Sequence, residues 1–161
     1  MTKFLLAVHV LAAIIAIGPV TVAASMFPAA ARRAAGAGDS PAALSTVRVL
    51  HRICRVYAEL GVVVPVFGFA TASVMHVLGS VWLIVSILLT AVAALVLGLL
   101  VLPSQHAILA GLTVPDPGTG SAPAAGRAVI ARLAMLTGVF NLLWATVTVL
   151  MIVRPGSTTG A

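Results

Sequence analysis

Charged residues are grouped along this chain and leave three long apolar stretches between the groups. Residues 4–31, 60–115 and 133–153 contain no Asp, Glu, Lys or Arg. A charge in hydrocarbon is costly and an open backbone turn there is costlier, so such stretches are typical of membrane spans. The middle stretch is too long for one span, and the turn signal Gly79-Ser80 divides it. The pattern therefore predicts four transmembrane helices.

We expect an all-α fold, a four-transmembrane-helix bundle that forms a single integral membrane domain over residues 1–161. The predicted spans cover about 3–26, 56–78, 81–103 and 133–153. The segments between them, residues 28–40 and 104–121, are predicted loops: the first contains two arginines and two glycines, and the second is rich in Pro, Gly and Thr.

The second helix is predicted to begin before its membrane span. Asp39-Ser40-Pro41 places a capping side chain just ahead of a proline at the first helical position. Helix 2 therefore extends into the cytoplasm in our prediction. Pro19 and Pro65 lie inside predicted spans and should kink them, because proline has no backbone N–H to donate.

Three spans contain pairs of small residues four positions apart, a spacing that lets helices approach closely. The pairs are Ala12 and Ala16, Ala94 and Gly98, and Ala134 and Gly138. The tight turn at Gly79-Ser80 also predicts that helices 2 and 3 are antiparallel neighbours.

The positions of the basic residues predict the orientation of the bundle. Seven of the nine Lys and Arg flank the two long loops, and only Lys3 and Arg154 lie on the other side. Because basic loops stay inside, both termini should face outward. Abundant Ala, Val, Gly and Arg with one Lys is typical of bacterial proteins from high-GC genomes, so we expect a multi-pass protein of the bacterial cytoplasmic (inner) membrane.

Composition and the first apolar stretch add two expectations, one about binding partners and one about the first helix. The chain is 61% hydrophobic with a formal charge of +6, but its basic residues flank spans, so we expect lipid contacts and no nucleic acid. The first apolar stretch resembles a signal peptide ending near Val22-Ala23-Ala24-Ser25. It continues through Met26-Phe27, so we predict a retained helix.

Both ends of the chain resemble a known group of proteins. The opening Phe4-Leu5-Leu6-Ala7-Val8-His9-Val10-Leu11-Ala12-Ala13 and the closing Met151-Ile152-Val153-Arg154-Pro155-Gly156 resemble an uncharacterised bacterial family of four-helix integral membrane proteins, classed as a domain of unknown function. The histidine in the first apolar helix is weakly similar to the copper-resistance protein D and membrane protoporphyrinogen oxidase families. That similarity implies metal or haem chemistry at His9.

Histidines are the residues that would hold such a cofactor. In the predicted topology His9 and His76 lie toward the outer leaflet, and His51 and His106 lie near the cytoplasmic face. Two histidines from different helices can ligate haem b, and imidazole also binds copper. The alternative is that each histidine is interfacial or hydrogen-bonded to a neighbouring helix.

The remaining polar candidates are expected to contact lipid, partner subunits or one another. Arg48, Arg52 and Arg55 form a stripe suited to lipid headgroups or to an acidic partner. Glu59 follows Arg55 by four residues, which predicts a local ion pair, with a proton site or a partner contact as alternatives. Asn141 is predicted to hydrogen-bond between helices.

The sequence contains no catalytic motif. It lacks GxSxG, Walker, HExxH and paired-carboxylate patterns, and Cys54 is its single cysteine. We therefore expect a non-enzymatic accessory or stabilising subunit of a larger inner-membrane complex, such as a transporter or respiratory assembly. That function needs no cofactor and has other membrane subunits as partners. The alternatives are a haem-, porphyrin- or copper-handling membrane protein and a small oligomeric permease.

Overall fold

The computed structural model describes residues 2–37, 40–113 and 122–156, and its regular structure in these ranges is entirely helical. Four segments there are long and apolar enough to cross a membrane, as the charge pattern predicts. They are Thr2–Gly36, Pro41–Val74, Val81–Thr113 and Gly126–Val153. The chain therefore has the architecture of a multi-pass membrane protein.

Six α-helices and one π-helical segment make up the four spans. They are α1 (Thr2–Gly36), α2 (Pro41–Leu60), α3 (Val63–Val74), α4 (Val81–Leu95), the π segment (Val96–Val101), α5 (Leu102–Thr113) and α6 (Ala122–Val153). The second span consists of α2 and α3. The third consists of α4, the π segment and α5.

The first helix lies at the centre of the bundle. It packs against α2, α3, α5 and α6, whereas α4 packs mainly against α6. The fully buried side chains include Phe27 of α1 together with Leu133 and Phe140 of α6. Because much of the α1 face is alanine, its neighbours come close enough for extensive van der Waals contact, the main source of helix association in lipid.

The predicted loop over residues 28–40 is wrong in its first part, since α1 continues to Gly36. The alanines of this segment are strong helix formers. Ala31 and Ala34 are buried in the same cluster as residues of α2. The two arginines between them are exposed, so they are compatible with a helix that keeps one face covered.

The predicted loop over residues 104–121 is also wrong in its first part, because α5 extends to Thr113. Proline at position 103 suggested a stop, but it lies inside the continuous third span, as the second residue after the π segment. Gln105 is completely buried and fixes this segment against α2. Residues 114–121 of the predicted loop lie outside the described residues.

A π-helical turn precedes that proline, over Val96–Val101. The N–H of Leu102 donates to the carbonyl of Leu97, five residues earlier. Pro103 has no N–H for the carbonyl of Leu99, and a π turn lets such a carbonyl find a donor one residue later. The widened turn is thus a local response to the proline.

The kink predicted from Pro65 is confirmed. The second span breaks between Leu60 and Val63, and the N–H of Val64 donates to the carbonyl of Gly61 at 3.1 Å. Gly61 is four residues before the proline, where the ring removes the donor and crowds the carbonyl. Pro19 lies within α1, which is continuous through that position.

The predicted start of helix 2 is confirmed at Pro41. The hydroxyl oxygen of Ser40 accepts a hydrogen bond from the N–H of Ala43 at 3.5 Å. Asp39, the other proposed capping residue, lies outside the described residues. The fourth helix begins well before its predicted span, since α6 starts at Ala122.

The turn between the second and third spans is longer than the predicted Gly79-Ser80 turn, because α3 ends at Val74. His76 has a left-handed backbone with φ of 55°. The N–H of Val77 donates to the carbonyl of Ala72, and that of His76 donates to Ser73. These two bonds are the Schellman motif that ends a helix, with histidine at the position usually taken by glycine.

The predicted contact between helices 2 and 3 is confirmed for α2 and α5, which pack together. At the other end, α3 and α4 meet in a small cluster beside the turn, formed by Ala72, Trp82 and Leu83. Beyond this cluster, the long turn lets α4 lie apart from α3. The buried face of α4 packs mainly against α6.

Replacing His76 by glycine should stabilise the protein by about 0.5–1 kcal/mol. Glycine adopts the left-handed conformation without the steric cost that an L side chain has there. The matched control is Met75→Gly, at a right-handed neighbour with φ of −83°, which should be destabilising. Unfolding in detergent measures both variants, and a loss of stability in His76→Gly would contradict the capping role.

Candidate functional site

An open groove between α2 and α5 is lined on one side by four polar side chains. The groove has a volume of about 520 Å³. Its polar wall contains His51, Arg55 and Glu59 of α2 and His106 of α5, and Val62 lies on its apolar wall. We call this feature the α2–α5 groove.

Helical spacing explains why these α2 side chains share the groove. Positions 51, 55 and 59 are four residues apart and therefore lie on one face. The adjacent face of α2 carries the buried residues Val47, Leu50 and Cys54, which pack into the core. The amphipathic character of α2 thus fixes the position of the polar wall.

Gln105 holds the base of the groove. It is completely buried, and its Oε1 accepts a hydrogen bond from Nδ1 of His51 at 3.1 Å. Its Nε2 lies 3.5 Å from Sγ of Cys54. Because an amide oxygen only accepts, the His51 proton is on Nδ1 and the lone pair is on Nε2. The bond therefore leaves His51 with one nitrogen able to bind a proton or a metal.

His51 and His106 form a pair of imidazoles on neighbouring helices. Their ring centroids are 6.0 Å apart and the planes are tilted by 45°. Within the described ranges, no three His, Cys, Asp or Glu side chains come together as a metal cluster. With Arg55 on the same wall, the pair suits a ligand that has both polar and apolar parts.

The ion pair predicted between Arg55 and Glu59 is present. The Nε of Arg55 lies 3.5 Å from Oε1 of Glu59, and both side chains are 71% exposed. At this exposure the pair contributes little to stability. Its effect is to reduce the positive charge at one side of the α2–α5 groove.

The structure places His9 and His76 in different surroundings. Nδ1 of His9 donates to the carbonyl of Val64 at 2.9 Å, so His9 joins α1 to α3. A Cβ on Gly68 would lie 2.9 Å from Cε1 of His9, so glycine is required for this close approach. His76 is exposed in the turn after α3 has ended at Val74. The interhelical hydrogen bond that we considered for the histidines is therefore present at His9.

The arginine stripe is exposed along α2, as expected. Arg48, Arg52 and Arg55 all point away from the buried face of that helix. Long basic side chains on the outside of such a helix can reach lipid headgroups or a partner. Only Arg55 of the three lines the α2–α5 groove.

The interhelical hydrogen bond predicted for Asn141 is present. Its Nδ2 donates to Oγ of Ser25 at 3.0 Å, and that hydroxyl donates to the carbonyl of Thr21 at 2.7 Å. The two bonds join α6 to α1. They leave Oδ1 of Asn141 without a partner among the described residues.

Sequence reasoning missed Gln105 as a functional residue. It was assigned to a loop after Pro103, and a buried contact was not expected there. A signal was present, because Gln105 and His106 interrupt an otherwise apolar segment. A polar side chain in such a segment usually has a partner on a facing helix.

A double-mutant cycle should measure the bond between Gln105 and His51. Gln105→Leu should lower the free energy of unfolding by about 1–2 kcal/mol, because it leaves a partly buried imidazole N–H unpaired. Combined with His51→Leu, the two losses should deviate from additivity by about 0.5–2 kcal/mol. Leu142→Ala, at an exposed position of α6, is the control and should be additive with Gln105→Leu. Additivity in both pairs would show that the bond contributes nothing.

No protein-family model matches the chain, and neither does any curated protein sequence or solved structure. The resemblance of its two ends to a membrane protein family stays a prediction from the sequence.

Proposed function

We propose that the protein is a non-enzymatic accessory or stabilising subunit of a larger inner-membrane complex, such as a transporter or respiratory assembly. The observation that carries the proposal is an uncovered small-residue face on the third span. Ala94 and Gly98 are exposed, and a Cβ added to Gly98 would have no heavy atom within 4 Å. We call this surface the Ala94–Gly98 face.

The Ala94–Gly98 face lies beside the side by which the third span is held. Ala93 and Leu97 are buried in the core, so the contact with α6 uses those positions. The bulky residues Leu95 and Leu99 are exposed and form one row beside Gly98. Small residues next to such a row leave a shallow depression that lets an incoming helix approach closely in membranes.

The first span supports this interpretation, because it has a pair of small residues with the same spacing, and this pair is covered within the bundle. Ala16 is only 3% exposed, and Ala12 is half-buried. A small-residue pair is therefore used for helix packing within this chain. By the same physics, the Ala94–Gly98 face suits a transmembrane helix of another subunit.

The basic residues support the proposed orientation. Exposed arginines lie along α2, and other exposed arginines lie near the end of α1 and the start of α6. With both connections inside and both termini outside, these side chains reach anionic headgroups or an acidic partner. The amphipathic first half of α2 then extends into the cytoplasm, which we propose as part of the docking surface.

Gly98→Leu should release the partner. Leucine fills the uncovered surface and prevents close helix approach without meeting an atom of this chain. The matched control is Gly111→Leu in the same span, which also meets nothing within 4 Å. Tagged protein extracted in gentle detergent should co-purify a stoichiometric membrane partner in wild type and control, and lose most of it in Gly98→Leu.

A wild-type protein that purifies alone and monomeric would contradict the proposal. Release of a second copy of this chain by Gly98→Leu would show a homo-oligomer and would also contradict it. Equal loss of partner in Gly98→Leu and Gly111→Leu would place the contact elsewhere.

The second candidate function is haem, porphyrin or copper handling. It is favoured by the two imidazoles at 6.0 Å in the α2–α5 groove. His51 keeps a lone pair on Nε2, Arg55 suits an acidic substituent, and the apolar wall suits a macrocycle. When bound, such a group would supply redox or metal chemistry, and these residues would hold and orient it.

Absorption spectra decide between the two candidate functions. Protein from cofactor-replete cells should show a Soret band that is lost in His51→Ala and in His106→Ala. His76→Gly is the control, since that residue is exposed outside the groove. A colourless, metal-free wild-type protein would eliminate this second function and leave the accessory role untouched.

A further inference from the structure

A second cavity, of about 200 Å³, lies between α1 and α6. Its polar lining consists of Ser25 and Arg32 of α1 with Thr137 and Asn141 of α6. We call it the α1–α6 cavity. Its volume equals the liquid volume of about seven water molecules, so it holds a small polar group and no large ligand.

Two buried oxygen atoms in the α1–α6 cavity have no hydrogen-bond partner in the described part of the chain. They are Oγ1 of Thr137 and Oδ1 of Asn141. Thr137 is only 3% exposed. Other threonines, such as Thr71 and Thr146, donate to a carbonyl of their own helix at 2.7–2.8 Å. The Thr137 hydroxyl is thus available to a ligand.

Arg32 gives the cavity a positive end. Arg32 lines the cavity together with Pro28 and Ser25 of the same helix. Like Arg33 and the arginines at the start of α6, it is also exposed. The positively charged guanidinium repels cations and donates hydrogen bonds, so a ligand of this cavity should carry anionic acceptor atoms.

The free groups define the ligand. Arg32 donates only, the Thr137 hydroxyl donates to or accepts from the ligand, and Oδ1 of Asn141 accepts only. The ligand must therefore carry an anionic acceptor and, within a few bonds, a hydrogen-bond donor. A glycerol phosphate unit has both and is small enough for this volume.

We propose that the α1–α6 cavity binds a glycerol phosphate unit. The phosphate accepts hydrogen bonds from Arg32 and Thr137, and a glycerol hydroxyl donates to Oδ1 of Asn141. Two sources carry this chemistry: an anionic phospholipid such as phosphatidylglycerol, and soluble glycerol 3-phosphate.

Native mass spectrometry of the full chain from nanodiscs tests the lipid source. In phosphatidylcholine discs with added phosphatidylglycerol, the wild type should retain one phosphatidylglycerol molecule. Arg32→Gln and Thr137→Val should each weaken this retention about tenfold, as expected for a lost bond to a charged group. The matched controls are Arg33→Gln, an exposed neighbour outside the cavity, and Thr146→Val, whose hydroxyl already has a partner.

Thermal shifts in pure phosphatidylcholine discs test the soluble source, with glycerol 3-phosphate as ligand and inorganic phosphate as a probe without the hydroxyl. A response to glycerol 3-phosphate that exceeds the response to phosphate, and that Arg32→Gln removes, supports the site with a soluble ligand. Selective phosphatidylglycerol retention without that response supports the site with a lipid.

Three results would overturn the proposal. The first is the absence of both phosphatidylglycerol retention and a thermal shift with glycerol 3-phosphate, which would mean that the cavity is filled with water. The second is equal loss in Arg32→Gln and Arg33→Gln, which would mean unspecific attraction to anionic lipid. The third is an unchanged Thr137→Val variant, since the buried hydroxyl would then have no ligand.

Discussion

Every peptide group in hydrocarbon needs a hydrogen bond from within the protein, and prolines interrupt the helices that supply these bonds. The structure meets this requirement in different ways. Pro65 breaks the second span four residues earlier, and Pro103 is preceded by a π turn. Both changes lie at candidate features: Val62 in the break lines the α2–α5 groove, and Gly98 in the π turn is uncovered. The two places where proline changes the course of a span are therefore also places where this bundle offers a surface.

Polar side chains in the spans are used mostly to join helices. His9 binds α3 through a backbone carbonyl, Gln105 joins α5 to α2, and Asn141 joins α6 to α1. Each bond fixes the rotation of one helix about its axis, which apolar packing alone determines weakly. Among the described residues, the buried side-chain oxygens left without a partner are the two in the α1–α6 cavity, and the α2–α5 groove holds a pair of imidazoles. This is why those two places carry the hypotheses about ligands.

The sequence predicted the parts of the fold that depend on local chemistry. The grouped charges indicated four spans, Ser40-Pro41 indicated a helix start, and Pro65 indicated a break, since each acts through its own residues. The ends of α1 and α5 were wrong because arginine, glycine and proline suggested loops, while burial against α2 maintained the helices. The Schellman turn at His76 could not be predicted, because the usual glycine is absent there.

The candidate sites were harder to predict because they join residues more than fifty positions apart. Asn141 could be assigned an interhelical bond from its type alone, but nothing local identified Ser25 as the partner. Gln105 and His51 meet only because α5 continues as a helix, which the sequence did not indicate. The α2–α5 groove, the α1–α6 cavity and the Ala94–Gly98 face lie on different helices. A substitution in one should leave the other two intact, so the proposed subunit association, cofactor binding and lipid binding can each be tested separately.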